Sequence, residues 1–243
     1  MRRLGLAMAA FALLASGPAR AAGFADWAAV VVAGDNRAHD GSPSEVFDNG
    51  RRDIVADLIG LGFTRENIVQ FSVNPERHKN TQQTDEGAIA SALWDVSSRT
   101  TGGCFVYITS HGSPDGVVIS ENLWEPGKLA RAVDNACGGR PTVVMISACF
   151  SGIFVPALAA PERLVVTAAR PDRTSFGCGN TDKYTYFDQC VLQAFPSSGD
   201  FPDLAGAAKA CVAAREKQMG AVPPSDPQIA LGATAATQLP HWR

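Results

Sequence analysis

Two stretches of this chain carry an apolar run straight into a reactive side chain. Thr142-Val-Val-Met-Ile-Ser-Ala-Cys149 ends in a thiol and is followed by Phe150-Ser-Gly152. Gly103-Cys-Phe-Val-Tyr-Ile-Thr-Ser-His111 ends in an imidazole and is followed by Gly112. A short continuous apolar run reads as a strand buried on both faces. Two such strands, side by side in a parallel sheet, bring thiol and imidazole together at one sheet edge. There the imidazole takes the thiol proton and the thiolate attacks a carbonyl, which is nucleophilic catalysis by a cysteine–histidine pair. Gly112 adds a backbone N–H free to approach a tetrahedral oxyanion, with the N–H of Cys149 as a second donor. Taken alone, a strand-end cysteine is commonly an inert small hydrophobe, and a strand-end histidine commonly does no more than cap a loop. The pairing of the two stretches is what points to chemistry.

The elements that would position this pair follow from periodicity. Trp27–Ala33 is an apolar run ending in Gly34-Asp35-Asn36 and reads as the first strand; Asn67–Val73 reads as the second. Between them Val46, Phe47, Ile54, Leu58 and Leu61 recur near a helical period, which Gly62 stops. Residues 74–83 are polar and read as an exposed loop. Thr84 is expected to cap a helix whose first turn holds Asp85 and Glu86 and whose apolar face is Ile89, Leu93 and Val96. Val117–Ile119 reads as a short extended piece and Leu129–Ala136 as a helix. Leu164–Ala169 reads as a strand, Tyr184–Ala194 and Phe201–Met219 as helices, and Gln228–Leu231 as a last strand. Strand and helix alternate throughout, so the expected class is α/β, a mostly parallel six-stranded sheet with helices on both faces. Open α/β sheets work at the carboxyl ends of their strands, where His111 and Cys149 both lie.

Composition narrows the function. Met1-Arg2-Arg3, an apolar segment from Leu4 to Ala15 and the small-residue stretch Ser16–Ala21 match a secretory signal peptide. The expected organisation is a signal peptide over 1–21 and a single domain over 22–243, exported to a periplasmic or extracellular space, with no membrane insertion after cleavage. Removing Arg2, Arg3 and Arg20 from 21 basic residues leaves 18 against 24 acidic ones, a charge of about −6. That balance argues against nucleic acid as a partner. An exported chain can hold disulfides. With Cys149 kept free, five of the six cysteines remain. Cys104 opens one strand and Cys137 precedes the next, so Cys104–Cys137 is the first expected bridge; Cys190–Cys211, joining two helices, is the second. Gly177-Cys178-Gly179 is followed by no Lys-Ser/Thr helix start and so is no phosphate loop. No Cys-x-x-Cys occurs, and His39, His78 and His241 lack ligand spacing, so neither metal nor cofactor is expected.

His111-Gly112 after one apolar strand and Ala148-Cys149 after the next resemble the clan of caspases and legumains. Within it the chain is most similar to the legumain family of asparaginyl endopeptidases, which includes the catalytic subunit of the glycosylphosphatidylinositol transamidase. Val30–Gly34, Asn49-Gly50-Arg51, Thr167–Ser175 and Asp182-Lys-Tyr-Thr185 resemble further segments of that family in the same order. The chain looks like a bare catalytic domain of bacterial type. The resemblance implies a caspase-like fold and an endopeptidase acting on peptide or protein substrates. Cys149 would be the nucleophile, His111 the general base and acid, Gly112 an oxyanion donor and Asn49 the residue that orients the imidazole. Arg51 and Asp182, with Ser175 on the wall, would line the specificity pocket and suit an Asn side chain, since a carboxamide needs donors and acceptors together. Phe150 stands where the family carries a pocket glutamate, which makes this pocket more apolar. Transpeptidation by the same pair, and a non-catalytic caspase-like binding domain, are the alternative readings.

Overall fold

The computed structural model describes residues 23–243; the expected signal peptide lies outside them. The chain runs β1 (Ala28–Ala33), α1 (Val46–Gly60), β2 (Ile68–Ser72), β3 (Gln82–Gln83), α2 (Glu86–Ser98) and β4 (Cys104–Thr109). It continues with β5 (Gly112–Ser113), β6 (Gly116–Ile119), β7 (Asn122–Trp124), α3 (Pro126–Cys137), β8 (Thr142–Ser147) and α4 (Val155–Leu158). β9 (Arg163–Thr167), α5 (Tyr186–Ala194), α6 (Phe201–Met219), β10 (Gln228–Leu231) and α7 (Ala235–Gln238) complete it.

Every residue of β1, β4, β8 and β9 is buried, which is why these strands read as unbroken apolar runs rather than alternating ones. The main sheet has the order β10-β9-β8-β4-β1-β2-β3, parallel except for β10, which runs antiparallel to β9. Successive side chains go to opposite faces. Ala29, Val31, Phe105 and Tyr107 meet α1, α5 and α6 through Ile54, Phe187 and Leu204 on one face. Val30, Val32, Val106 and Ile108 meet α2 and α3 through Ile89, Leu93 and Leu129 on the other. Single burial of a Leu, Ile or Phe is worth about 1.5–3 kcal/mol, and both cores hold many such residues. The expected layered α/β class is therefore present, with one correction: the sheet has seven strands, not six. The seventh is the two-residue edge strand Gln82–Gln83, paired with Phe71 and Ser72, in a segment that sequence alone marks as a polar loop. β5, β6 and β7 form a separate three-stranded antiparallel sheet directly after His111.

Helix starts also follow local chemistry. Asp85, not Thr84, caps α2, its side chain accepting from the N–H of Ala88 at 2.9 Å. Thr84 is buried and donates its hydroxyl to the carbonyl of Ala33 at 2.8 Å, tying the helix entrance to the end of β1. Asp200 caps α6 in the same way as Asp85. The chain end docks on the core, with the N–H of Trp242 bonded to Gly199 and its ring 5.0 Å from Phe201.

Both expected disulfides form, Cys104–Cys137 and Cys190–Cys211, leaving Cys149 and Cys178 free. The second ties α5 to α6 across 21 residues. Closing a loop of that length removes denatured-chain entropy worth about 3 kcal/mol. Replacing both Cys190 and Cys211 by Ser should therefore lower the unfolding free energy by about that amount, read from urea denaturation under non-reducing conditions. An unchanged midpoint would show that this bridge contributes nothing.

Candidate active site

The site is built by the register of two central strands. β4 and β8 pair in parallel from Cys104↔Thr142 to Thr109↔Ser147, and the ladder extends one step further, the N–H of Ser110 bonding the carbonyl of Ser147 at 3.0 Å. His111 and Cys149 are each two residues past the last pair, on strands about 4.8 Å apart. Gly112 then presses against the turn that carries the thiol. A Cβ at Gly112 would overlap the carbonyl oxygen of Cys149 and lie 3.1 Å from the Ala148 side chain, so only glycine fits there.

The imidazole is held from two sides. Nε2 of His111 lies 3.0 Å from the carbonyl of Arg37. A carbonyl only accepts, so Nε2 carries the proton and Nδ1 keeps the lone pair. The ring of Phe47 stands edge-on to the imidazole, with centroids 5.0 Å apart. The thiol is held by Ser175, whose N–H points to Sγ at 3.3 Å and whose hydroxyl and carbonyl oxygens each lie 3.6 Å away.

The turn after Cys149 is strained on purpose. Phe150 has φ of 57° and ψ of 11°, a left-handed conformation costing a non-glycine residue about 1–2 kcal/mol. Its N–H bonds the carbonyl of Arg173 at 2.7 Å. The hydroxyl of the buried Ser151 accepts the N–H of Ala169 at 3.2 Å. Gly152 leaves room for the ring of Pro171, 2.6 Å from where a Cβ would stand. The strand thus turns sharply and projects Cys149 beyond the sheet. Among the described residues the N–H of Cys149 has no acceptor. Gly112 and Val117 face each other across β5 and β6, and the N–H of Val118 bonds His111. That makes Gly112–Val117 a non-hydrogen-bonded pair, so the Gly112 N–H points away from β6.

Beneath the edge lies a polar network that no motif or spacing singles out. Asp188 is fully buried and accepts from Tyr107 at 2.7 Å and Thr109 at 2.6 Å. Its N–H bonds the Thr185 hydroxyl, which is 3.0 Å from the hydroxyl of Ser147. Burial pushes the Asp188 carboxyl up, and these hydroxyls pull it back down. Gly50 makes the space, since a Cβ there would sit 2.6 Å from Asp188 Oδ2. The network ties together Thr109 and Ser147, the last residues of β4 and β8.

Two expected roles need correction. Asn49 does not orient His111; its side chain donates to the carbonyl of Lys183 at 3.1 Å and accepts from Arg52 at 3.0 Å. Its place is taken by the Arg37 carbonyl, a backbone group with no residue signature, and by Phe47. Arg51 does not pair with Asp182. Its guanidinium bonds Asp48 at 2.9 Å and Gln70, in the middle of β2, at 2.5 Å. Helix rotation explains both: on α1 Phe47 faces His111 and Gly50 faces Asp188, which leaves Arg51 turned to β2. Asp182 accepts from the N–H of Gly179 at 2.8 Å. Ser175 sits closer than a pocket wall, in contact with the sulfur itself. Cys178 packs against Ala33, Val46 and Phe47. Burial, Cys149 and Asp182 together push its thiol up to about 11, so it is protonated at neutral pH.

One trio of described residues could approach a metal ion, Glu45, Asp48 and His78. Asp48 already accepts from Arg51 and Ser72, and Glu45 pairs with Arg77. We read the trio as part of an ion-pair network.

The peptidase C13 family model matches residues 64–205, more than half of the chain. The chain belongs to the peptidase C13 family. Its match spans His111, Gly112, Cys149, Ser175 and Asp182 and leaves out Asn49 and Arg51. A C13 family assignment makes this a cysteine peptidase. No curated protein matches the chain. Among solved structures it is similar to caspase-1 from Spodoptera frugiperda, with a TM-score of 0.63 and 15% identity over 90% of each chain. That likeness shows the fold, which is caspase-like.

Replacing Gly112 by Ala should leave the far-ultraviolet circular dichroism spectrum unchanged. Peptidase kcat/KM should fall on the order of 100-fold, as the Cβ drives Gly112 from the Cys149 carbonyl. Full activity in this variant would show that the close approach is not required.

Proposed function

We propose that this C13 peptidase is an exported endopeptidase that cleaves through a covalent thioester on Cys149. The observation that carries this reading is the meeting of Gly112 with the Cys149 carbonyl at the ends of two strands in fixed register. His111, its Nε2–H engaged by Arg37, takes the Cys149 proton on Nδ1. The sulfur attacks the scissile carbonyl carbon, and the oxygen gains charge between the N–H groups of Gly112 and Cys149. The C–N bond breaks as His111 returns the proton to the leaving amine. Water, deprotonated by the same nitrogen, then attacks the thioester and releases the acid with a free thiol. An amine in place of water gives transpeptidation through the same intermediate.

Specificity for Asn calls for an arginine–aspartate pair. With Arg51 turned to β2, the member of that pair left to contribute is the Asp182 carboxylate, which accepts from the N–H of Gly179. Asp182 suits the amide NH2 of Asn and equally a cationic side chain, and a substrate library separates the two. Export is supported by the signal-like leader and by two disulfides, which persist in oxidising compartments.

The test is a peptide library combined with an electrophilic thiol probe, applied to the mature protein. Cys149→Ala should abolish cleavage and labelling together, while Cys178→Ser keeps both. His111→Ala should keep the fold and slow acylation by about 100-fold or more. Cleavage that survives Cys149→Ala sinks the proposal, and an unchanged acylation rate removes His111 from it.

A further inference from the structure

A cavity of about 530 Å³ lies away from Cys149, between α1, β2 and residues 77–80, and has neither His111 nor Cys149 in its lining. That volume is in the range of small-molecule sites. Five permanent cations line it, Arg51, Arg52, Arg65, Arg77 and Lys79, and no carboxylate does. Three of the five are matched by acids outside the lining: Arg51 by Asp48, Arg52 by Asp53 and Arg77 by Glu45. Among the described residues Arg65 and Lys79 have no acid partner. Two uncompensated positive charges therefore share one concave surface, on a chain whose net charge is negative.

Arg51 makes this a built site rather than a solvated face. It is 3% exposed, and Asp48 and Gln70 fix its Nε and Nη1. Nη2 is left without a protein partner on a residue that lines the cavity. A rigid, desolvated guanidinium with one free end selects oxyanions. Val55 and Ile59 of α1 supply apolar wall beside it.

We propose that this cavity binds a small molecule carrying at least two oxyanion charges on a compact carbon or phosphate body. The Arg51 guanidinium, held by Asp48 and Gln70, would grip one oxyanion, with Arg65 and Lys79 matching the remaining charge. Phosphate and carboxylate groups share this chemistry. The concavity and its volume favour a small molecule over a chain. The proposal stands independently of the peptidase mechanism, since no lining residue serves Cys149.

Isothermal titration of the mature protein with pyrophosphate and, separately, citrate tests it, at constant ionic strength set with sodium chloride. Arg65 and Lys79 are both exposed, so Arg65→Glu combined with Lys79→Glu should melt as the parent does without ligand. Saturable one-to-one binding of pyrophosphate, weakened on the order of tenfold or more in the double variant, supports a phosphate ligand. The same pattern with citrate alone supports a carboxylate one. No saturable binding of either, or equal binding by the variant, overturns the proposal. Binding confined to a glutamate-rich peptide overturns it too, assigning the surface to acidic chain segments.

Discussion

Six residues of β4 face six of β8 in one register, from Cys104 and Thr142 to Thr109 and Ser147. Because side chains alternate with a period of two, a slip of one residue would send His111 and Cys149 to opposite faces. The fold guards this register at both ends. At the entering end, Cys104 is bridged to Cys137, which closes α3 just before β8. At the leaving end, the hydroxyls of Thr109 and Ser147 meet the Asp188–Thr185 pair from α5. A covalent tie and a buried polar one thus bracket a run of apolar pairs that by themselves say little about alignment.

The polar tie has the harder thermodynamics. Burying a carboxylate is costly unless its lone pairs are used, and Asp188 uses them on Tyr107 and Thr109. Its helix is capped by Thr185, the residue that also reaches Ser147. One threonine therefore sets where α5 begins and where β8 ends. Gly50 on α1 is the counterpart on the opposite side, giving up a side chain so that the carboxylate fits. Three elements far apart in sequence converge on a single buried acid.

Much of this was legible in the residues. Fully buried strands announce themselves as apolar runs, so the sheet, its class and both strand-end groups could be read directly. The Cys104–Cys137 bridge could be read because strand position alone sets two cysteines near one edge. What failed was orientation. A three-residue likeness carries Asn49 and Arg51, and three residues do not fix the rotation of a helix whose side chains advance about 100° each. The packing of Phe47 on His111 fixed it instead. The Arg37 carbonyl was invisible because every residue has one. Gln82–Gln83 is illegible because two residues carry no period. Asp188 carries no signal because an acid inside a helix ordinarily reads as solvent-facing.

The neighbourhood of the two unbridged cysteines has a consequence for how the protein would age. Disulfide exchange requires an attacking thiolate, and its rate falls with the thiolate fraction. Burial, the largest cause that pushes the Cys178 thiol up, persists when Cys149 is capped, so Cys178 holds little thiolate at neutral pH. Were Cys149 capped by a small disulfide, Cys178 would be slow to displace the cap and close an internal bridge. The cap would instead wait for a thiol from solution, which restores the free Cys149 thiol. Burial of one side chain thereby keeps oxidative damage at the other repairable.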